Sequence, residues 1–265
     1  MAPLILTLGR GALTGLAKRP SADSRLTPAR LTREAVRVDP ARAAAYARVC
    51  GYAPGPVLPL TYPHILGFPL AARLMAARSF PLPLLGLVHT SITLRRLHAL
   101  TVADRPDLTV RTQELRPHRR GTEVVVVTEA HLAGELAWQD VSTYLARHRV
   151  PDQDTPGAAA PAPLLPPVGT WELPGDLGRR HARVSGDYNP IHLSGPTARP
   201  FGFRRAIVHG MWTAARVASL DPDAHALDAD FRAPVLLPST VQYAMAGGRF
   251  EVRSGSHLHV AGTMS

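Results

Sequence analysis

The chain has 265 residues, 45% of them hydrophobic, which is enough to bury one large core or two modest ones. The single cysteine, Cys50, excludes an intrachain disulfide and any cysteine-rich metal or iron–sulfur site. The net charge of +10 favours anionic partners. Because the arginines are scattered and not interleaved with aromatic residues, we expect no nucleic-acid partner.

The N-terminal segment, residues 1–32, is read as an extension outside the fold. Its apolar run contains Arg10, whereas a signal peptide places its positive charge first and a small-residue cleavage site after the run. Nowhere does the chain reach the roughly 18 to 20 uncharged apolar residues that span a bilayer. We therefore expect a cytoplasmic protein without a membrane span.

The first half, residues 33–150, is predicted to place helices before strands. Residues 41–48 and 68–77 have helical character, with Pro69 in the first turn of the second helix. Strand-like patterns then occupy residues 90–97, 108–115, 122–130 and 136–146, with a hairpin turn at residues 118–121.

Residues 151–167, rich in Pro, Ala and Gly, are predicted to form an extended linker. The second half, residues 168–265, repeats the order of the first. Its predicted elements are a helix at 176–184, a loop at 185–192, a helix at 210–220, and strands at 226–231, 241–246, 249–253 and 258–262. Two halves with one order of elements indicate a duplicated α+β unit.

The loop Ser185–His192 holds the first group of residues able to perform chemistry. The Asn189–Pro190 pair favours a turn, so Asp187 and His192 can converge on one small site. A carboxylate beside an imidazole can hold a water molecule and exchange protons with it. Taken alone, the same residues are also ordinary turn formers.

A second stretch, residues 207–213, runs from an apolar pair through His209 and Gly210 into a helix. A glycine at a helix start lets a ligand approach the free backbone N–H groups closely. Such a place can stabilise the enolate oxygen of a thioester. The plainer interpretation is a helix start that needs a residue without a side chain.

Together these residues carry a family resemblance. Residues 185–192 (SGDYNPIH), 201–203 (FGF) and 207–211 (IVHGM) resemble the MaoC-like dehydratases, also called (R)-specific enoyl-CoA hydratases. Residues 59–63 (PLTYP) and 116–121 (RPHRRG) are similar to the amino-terminal half of actinobacterial two-domain members.

The resemblance implies a double hotdog fold, α+β, with two antiparallel sheets that each wrap a central helix. Residues 68–77 would form the first central helix and residues 210–220 the second. The first half lacks the Asp-x-Asn-Pro-x-His pattern, so the resemblance implies that it is degenerate. One active site per chain is expected, with the first half supplying part of the acyl tunnel and the carrier mouth.

Carried over by position, the catalytic residues are Asp187 and His192, the supporting Asn189, and the backbone N–H of Gly210 as oxyanion donor. Four further residues are expected around the substrate: Ser185, Gly186, His209 and Met211. Ser185 and Gly186 are expected mainly to shape the loop, and the His209 imidazole to be structural rather than catalytic. Trp212 either limits acyl length or packs in the core, and core packing is favoured.

The implied reaction is reversible dehydration of (R)-3-hydroxyacyl thioesters, or hydration of trans-2-enoyl thioesters, with no metal and no cofactor. The substrate would be carried by coenzyme A or an acyl carrier protein, with Arg204, Arg205 and Arg232 as candidate phosphate contacts. The chain is expected to act as a monomeric pseudo-dimer or a homodimer. A hotdog acyl-thioesterase and a non-catalytic acyl-thioester-binding subunit remain as alternatives.

Overall fold

The computed structural model describes Lys18 and residues 24–84, 86–150 and 163–265. Most of the predicted extension and residues 151–162 of the predicted linker therefore lie outside the described residues. Within the described ranges, no helix is long and apolar enough to cross a membrane.

Two helices open the first half, α1 (Pro40–Cys50) and α2 (Tyr62–Ala76). Asp39 caps α1, since its side chain accepts hydrogen bonds from two first-turn amides, and Gly51 ends it at φ 89°. Helix α2 begins at Tyr62 rather than residue 68, so the predicted start was wrong. Pro63, not Pro69, occupies the first turn, where a missing N–H costs nothing, and Pro69 lies inside the helix.

The four strands predicted in the first half are present, and a short fifth strand precedes α1. They are β1 (Arg30–Arg33), β2 (Val88–Arg96), β3 (Asp107–His118), β4 (Gly121–Leu132) and β5 (Glu135–Arg147). Strand β1 pairs with β3 at the edge of the sheet and crosses the predicted boundary at residue 33. The first half therefore begins before that boundary.

The second half contains every helix and strand that the sequence predicted, together with a strand at residues 169–173 and a short helix at residues 195–198 that it did not predict. Its elements are β6 (Gly169–Leu173), α3 (Leu177–Ser185), α4 (Gly195–Ala198), α5 (Gly210–Ala218), β7 (Ala226–Phe231), β8 (Ser239–Ala246), β9 (Arg249–Ser254) and β10 (His257–Met264). Two short 3-10 turns, Pro190–His192 and Arg199–Phe201, flank α4.

The strands form a ten-stranded antiparallel sheet in the order β1-β3-β4-β5-β2-β7-β10-β9-β8-β6. The sheets expected for the two halves are joined edge to edge, because β2 pairs with β7 from Ser91–Asp230 to Arg95–Ala226. Helix α2 packs on the first-half strands so closely that a Cβ at Gly67 would lie 2.6 Å from Thr128. A continuous core joins both halves in the double hotdog arrangement.

Trp212 belongs to this core. Its ring is buried and packs edge-on against Trp171, with centroids 6.3 Å apart. Its Nε1 donates to the carbonyl oxygen of Val49 at 2.8 Å and so ties α5 to α1 across the two halves. The preference for core packing over a limit on acyl length is confirmed.

Candidate active site

A cavity of about 560 Å³ lies where the two halves meet. The second half contributes the loop after α3, the start of α5 and the end of β7. The first half contributes α2, the start of β2 and the end of β5. These strands are neighbours in the order β5-β2-β7, so the cavity runs across the junction of the half-sheets.

The loop that enters the cavity is built from local turns. Gly186 ends α3 in the left-handed region at φ 85°, and the Asp187 amide donates to Ser185 Oγ at 3.1 Å. Asp187 Oδ1 accepts from the Asn189 amide at 3.0 Å, and Asn189 Oδ1 accepts from the Ile191 amide at 3.4 Å. Asn189 thus caps the 3-10 turn that carries His192, and its side chain supports that residue through the backbone.

His192 is buried and presents one ring nitrogen for chemistry. Its Nδ1 lies 2.8 Å from the carbonyl oxygen of Ile207, so Nδ1 carries the proton and Nε2 keeps its lone pair. Burial, followed by the nearby His209, lowers the pKa of His192 to about 3. The residue is therefore a neutral imidazole near pH 7, which is the form that accepts a proton.

His209 lies against both members of the predicted pair. Its ring stacks on His192 with centroids 3.7 Å apart, and its Nε2 donates to the Asp187 carbonyl oxygen at 3.0 Å. The same nitrogen is 3.8 Å from Asp187 Oδ2. Burial lowers the pKa of His209 to about 4. These contacts fix the loop to the start of α5, which fits the structural role expected for this imidazole.

By donor type, Asp187, His192 and His209 could bind a metal ion, since one ligand atom from each lies within 4.8 Å of the others. The two imidazole planes, however, are stacked at 22° to one another. The lone pairs of stacked rings lie in nearly parallel planes, and His209 Nε2 carries the proton that it donates to the Asp187 carbonyl oxygen, so this nitrogen offers no lone pair to an ion. The arrangement fits acid–base chemistry better than a metal centre.

Gly210 is the first residue of α5, and no side chain among the described residues caps this helix. A Cβ at Gly210 would lie 3.0 Å from the Phe231 ring, so glycine leaves room between the helix start and β7. Both Gly210 and the following Met211 line the cavity. The positive end of α5 thus faces the same space as Asp187 and His192.

The remaining predicted contacts divide into two groups. Ser185 and Arg232 line the cavity, whereas Gly186, Arg204 and Arg205 do not. Gly186 serves as the C-cap of α3, which is the loop-shaping role expected for it. Arg205 is engaged elsewhere, since its Nη1 donates to the Pro238 carbonyl oxygen at 3.0 Å.

Two residues that support the loop were missed from the sequence. Arg42 of α1 donates from Nε to the carbonyl oxygen of Val184 at 2.7 Å and from Nη2 to that of Ser185 at 2.8 Å. Gly178 lies where a Cβ would overlap the carbonyl oxygen of His192. The position of Gly178 inside a helix was a signal in the sequence that could have identified it, whereas nothing in the sequence near Arg42 indicated its role.

The double hotdog fold and the loop with Asp187 and His192 beside the start of α5 are the features that the sequence resemblance to the MaoC-like dehydratases implied. Residues 175–263 match the family model "MaoC like domain". The chain belongs to this family and is an enzyme of the hydro-lyase class, a dehydratase.

Named relatives agree with this assignment. The chain is 38% identical over 227 residues to 3-hydroxyacyl-thioester dehydratase X of Mycobacterium tuberculosis (strain ATCC 25618 / H37Rv), covering 82% of this chain and 80% of the relative. The crystal structure of HtdX from the same species superposes with a TM-score of 0.78 at 33% identity, over 89% of this chain and 99% of that one.

A more distant M. tuberculosis protein, described as having a double hotdog fold, gives a TM-score of 0.51 at 14% identity. The match covers 89% of this chain and 96% of that one. At this level of identity the likeness concerns the fold alone.

Proposed function

We propose that the enzyme catalyses the reversible addition of water to trans-2-enoyl thioesters, forming (R)-3-hydroxyacyl thioesters. The observation that carries this proposal is the meeting of three groups in one cavity. These are the Asp187 carboxylate, the neutral imidazole of His192, and the uncapped start of α5 at Gly210. The printed name of the dehydratase X relative supports the same substrate class.

In the hydration direction, a water molecule bound between Asp187 and His192 gives a proton to His192 Nε2. Its oxygen adds to the β-carbon, and the electron pair of the double bond moves toward the thioester carbonyl. The resulting enolate oxygen accepts a hydrogen bond from the Gly210 N–H. The imidazolium, stabilised by the Asp187 carboxylate, then returns a proton to the α-carbon, and dehydration follows the same steps in reverse.

The reaction adds the elements of water without net oxidation or reduction, so it requires no electron carrier. A positioned acid–base pair typically supplies about 10² to 10⁴ in rate. A backbone oxyanion donor supplies roughly 10² to 10³ more. The acid–base pair and the oxyanion donor are the two sources of rate enhancement that the residues of this site provide.

The acyl chain is proposed to enter the first half, where Ile65, Phe68, Leu87 and Leu145 line the cavity. Coenzyme A and acyl carrier protein are both suitable carriers. Of the three arginines considered for the carrier phosphate, only Arg232 lines the cavity, and we keep it as the candidate. Because both halves line one cavity, a single chain suffices as a pseudo-dimer.

An assay with the purified chain and a trans-2-enoyl-CoA separates the candidate activities. We expect loss of the enoyl absorbance without release of free thiol. Thiol release in proportion to turnover would indicate the hotdog thioesterase instead. Binding of the thioester without either reaction would indicate a non-catalytic subunit.

A further inference from the structure

A second group of polar side chains faces the cavity from the half that lacks the catalytic motif. We call it the first-half polar cluster, and its members are His64 of α2, His89 of β2, and Asp140, Ser142 and Tyr144 of β5. His64, His89 and Tyr144 line the cavity, while Asp140 and Ser142 lie buried behind them. The acid–base mechanism described above uses none of the five.

The carboxylate of Asp140 organises the cluster. Asp140 is 0% exposed, and its Oδ2 lies 2.7 Å from His64 Nδ1. Its Oδ1 accepts a hydrogen bond from Ser142 Oγ at 3.1 Å. Hydrogen bonds of this kind offset the large free-energy cost of burying a carboxylate. Because Nδ1 of His64 is engaged, Nε2 is the nitrogen that remains for the cavity.

His89 adds a second nitrogen to the same wall. Its ring lies between those of His64 and Tyr144, with centroids 6.1 Å and 4.5 Å away. Its Nε2 is buried and has no hydrogen-bond partner among the described residues. Burial, with the nearby His64, lowers the pKa of His89 to about 3, so the ring is neutral. An unpaired buried nitrogen is costly unless a ligand completes its hydrogen bond.

The cluster lies along the proposed path of the acyl chain. The Phe231 ring borders Gly210, and its centroid lies 4.9 Å from that of the His89 ring, so the cluster adjoins the site proposed for catalysis. The residues next to the cluster in the chain, Ile65, Val88 and Leu145, also line the cavity and are apolar. On the proposed binding mode, the acyl chain rather than the carrier therefore lies next to the cluster.

We propose, on the basis of the function proposed above, that the first-half polar cluster binds an oxygen on the acyl chain. The ligand would be a hydroxyl group part-way along the chain, which donates its hydrogen bond to the lone pair of one ring nitrogen of the cluster, His64 Nε2 or His89 Nε2. An unsubstituted acyl tunnel needs only apolar walls, and a buried His–Asp pair there would cost stability without benefit. The enzyme is therefore selective for oxygenated acyl thioesters.

The test compares enoyl-CoA substrates of one chain length, either unsubstituted or bearing one hydroxyl group at successive mid-chain carbons. For the wild type, we expect kcat/KM to be on the order of tenfold higher for the best-placed hydroxyl. The double variant His64→Leu/Asp140→Asn removes both partners and leaves no unpaired charge. It should lose this preference while still hydrating the unsubstituted chain.

Two further variants keep the test decisive. His89→Phe preserves the ring shape, removes Nε2 and should reduce the same preference, even if the double variant folds poorly. His98→Leu, at an exposed position, is the matched control and should retain the preference.

Three results would overturn the proposal while leaving the proposed function intact. They are a wild type without preference at any hydroxyl position, a preference that persists in the cluster variants, and an equal fall for both substrates in those variants. The last result would mean that the cluster contacts the carrier. If the wild type hydrates no enoyl thioester, the proposed function fails as well.

Discussion

The imidazoles of His192 and His209 lie nearly face to face, with ring centroids 3.7 Å apart and planes at 22°. A third imidazole, His181, lies 4.5 Å from His209. All three side chains are buried in the folded protein. Protonated rings at these separations would repel one another, so the packing favours an uncharged stack in the resting enzyme.

This stack predicts that the protein loses stability in mild acid. Burial lowers the pKa to about 3 for His192 and about 4 for His209, both below the ordinary value of 6.5. Above pH 6.5 both histidines are neutral in the folded and in the unfolded protein, so their contribution to the free energy of unfolding is fully present. Below pH 6.5 the two histidines bind protons only in the unfolded chain, so the free energy of unfolding falls by about 1.4 kcal/mol per pH unit per histidine.

Urea denaturation at about pH 8, 6 and 5 measures this slope. The variant His181→Phe supplies the control, because burial also lowers the pKa of His181 well below its ordinary value. Phenylalanine fills the same space without titrating, so its stability should fall less than that of the wild type between pH 8 and 5. Equal stability of the wild type at pH 8 and pH 5 would contradict the uncharged stack.

Gly178→Ala should impair both folding and catalysis. In an open helix this change is stabilising, but here the added Cβ would overlap the His192 carbonyl oxygen. We expect a loss of about 1 to 3 kcal/mol in unfolding free energy and a slower hydration rate, since His192 must move.

Gly175→Ala is the matched control. Its Cβ would meet only Pro238 Cδ, at an ordinary 3.7 Å. Thermal unfolding and hydration rates should therefore be unchanged in this variant. If the Gly178→Ala protein is as active and as stable as the Gly175→Ala protein, the close approach of Gly178 to His192 does not constrain the loop.

Arg42→Lys tests whether the first half positions the loop that carries Asp187 and His192. The guanidinium of Arg42 donates hydrogen bonds from two nitrogens to the carbonyl oxygens of Val184 and Ser185. The ammonium group of lysine has a single nitrogen and cannot reproduce this planar, two-nitrogen geometry. We expect kcat for hydration to fall roughly tenfold, with KM changed less, because the loop carrying Asp187 loses its fixed position.

Arg48→Lys, at an exposed position on the same helix, should leave both constants unchanged. If Arg42→Lys raises KM and leaves kcat unchanged, Arg42 supports substrate binding rather than the geometry of the loop that carries Asp187 and His192.

The sequence predicted the parts of the structure that depend on neighbouring residues. The loop proposed to be catalytic was recognisable because Asp187, Asn189 and His192 lie within one turn-forming segment. The start of α5 was recognisable because Gly210 precedes a helical pattern. Strands β1 and β6 were missed because they are short edge strands, whose patterns span four and five residues.

Contacts between distant segments could not be predicted in this way. Arg42 reaches residues more than 140 positions further along the chain, and only the folded helices bring them together. His64 and Asp140 become partners because α2 packs across the first-half strands, and the sequence patterns of α2 and β5 gave no sign of that pairing. The start of α2 was misplaced because Pro69 was assigned the position that Pro63 occupies.

The most direct test of the proposed acid–base pair is the steady-state hydration of crotonyl-CoA by Asp187→Asn, His192→Ala and the double variant. Asparagine can still accept the hydrogen bond from the Asn189 amide, so the first change removes charge while keeping the turn. We expect each single variant to lose about 10² to 10⁴ in kcat. The double variant should be little slower than the worse single one, since the two groups act as a unit. Near-wild-type kcat in either single variant, with the fold intact, would contradict the shared role of Asp187 and His192.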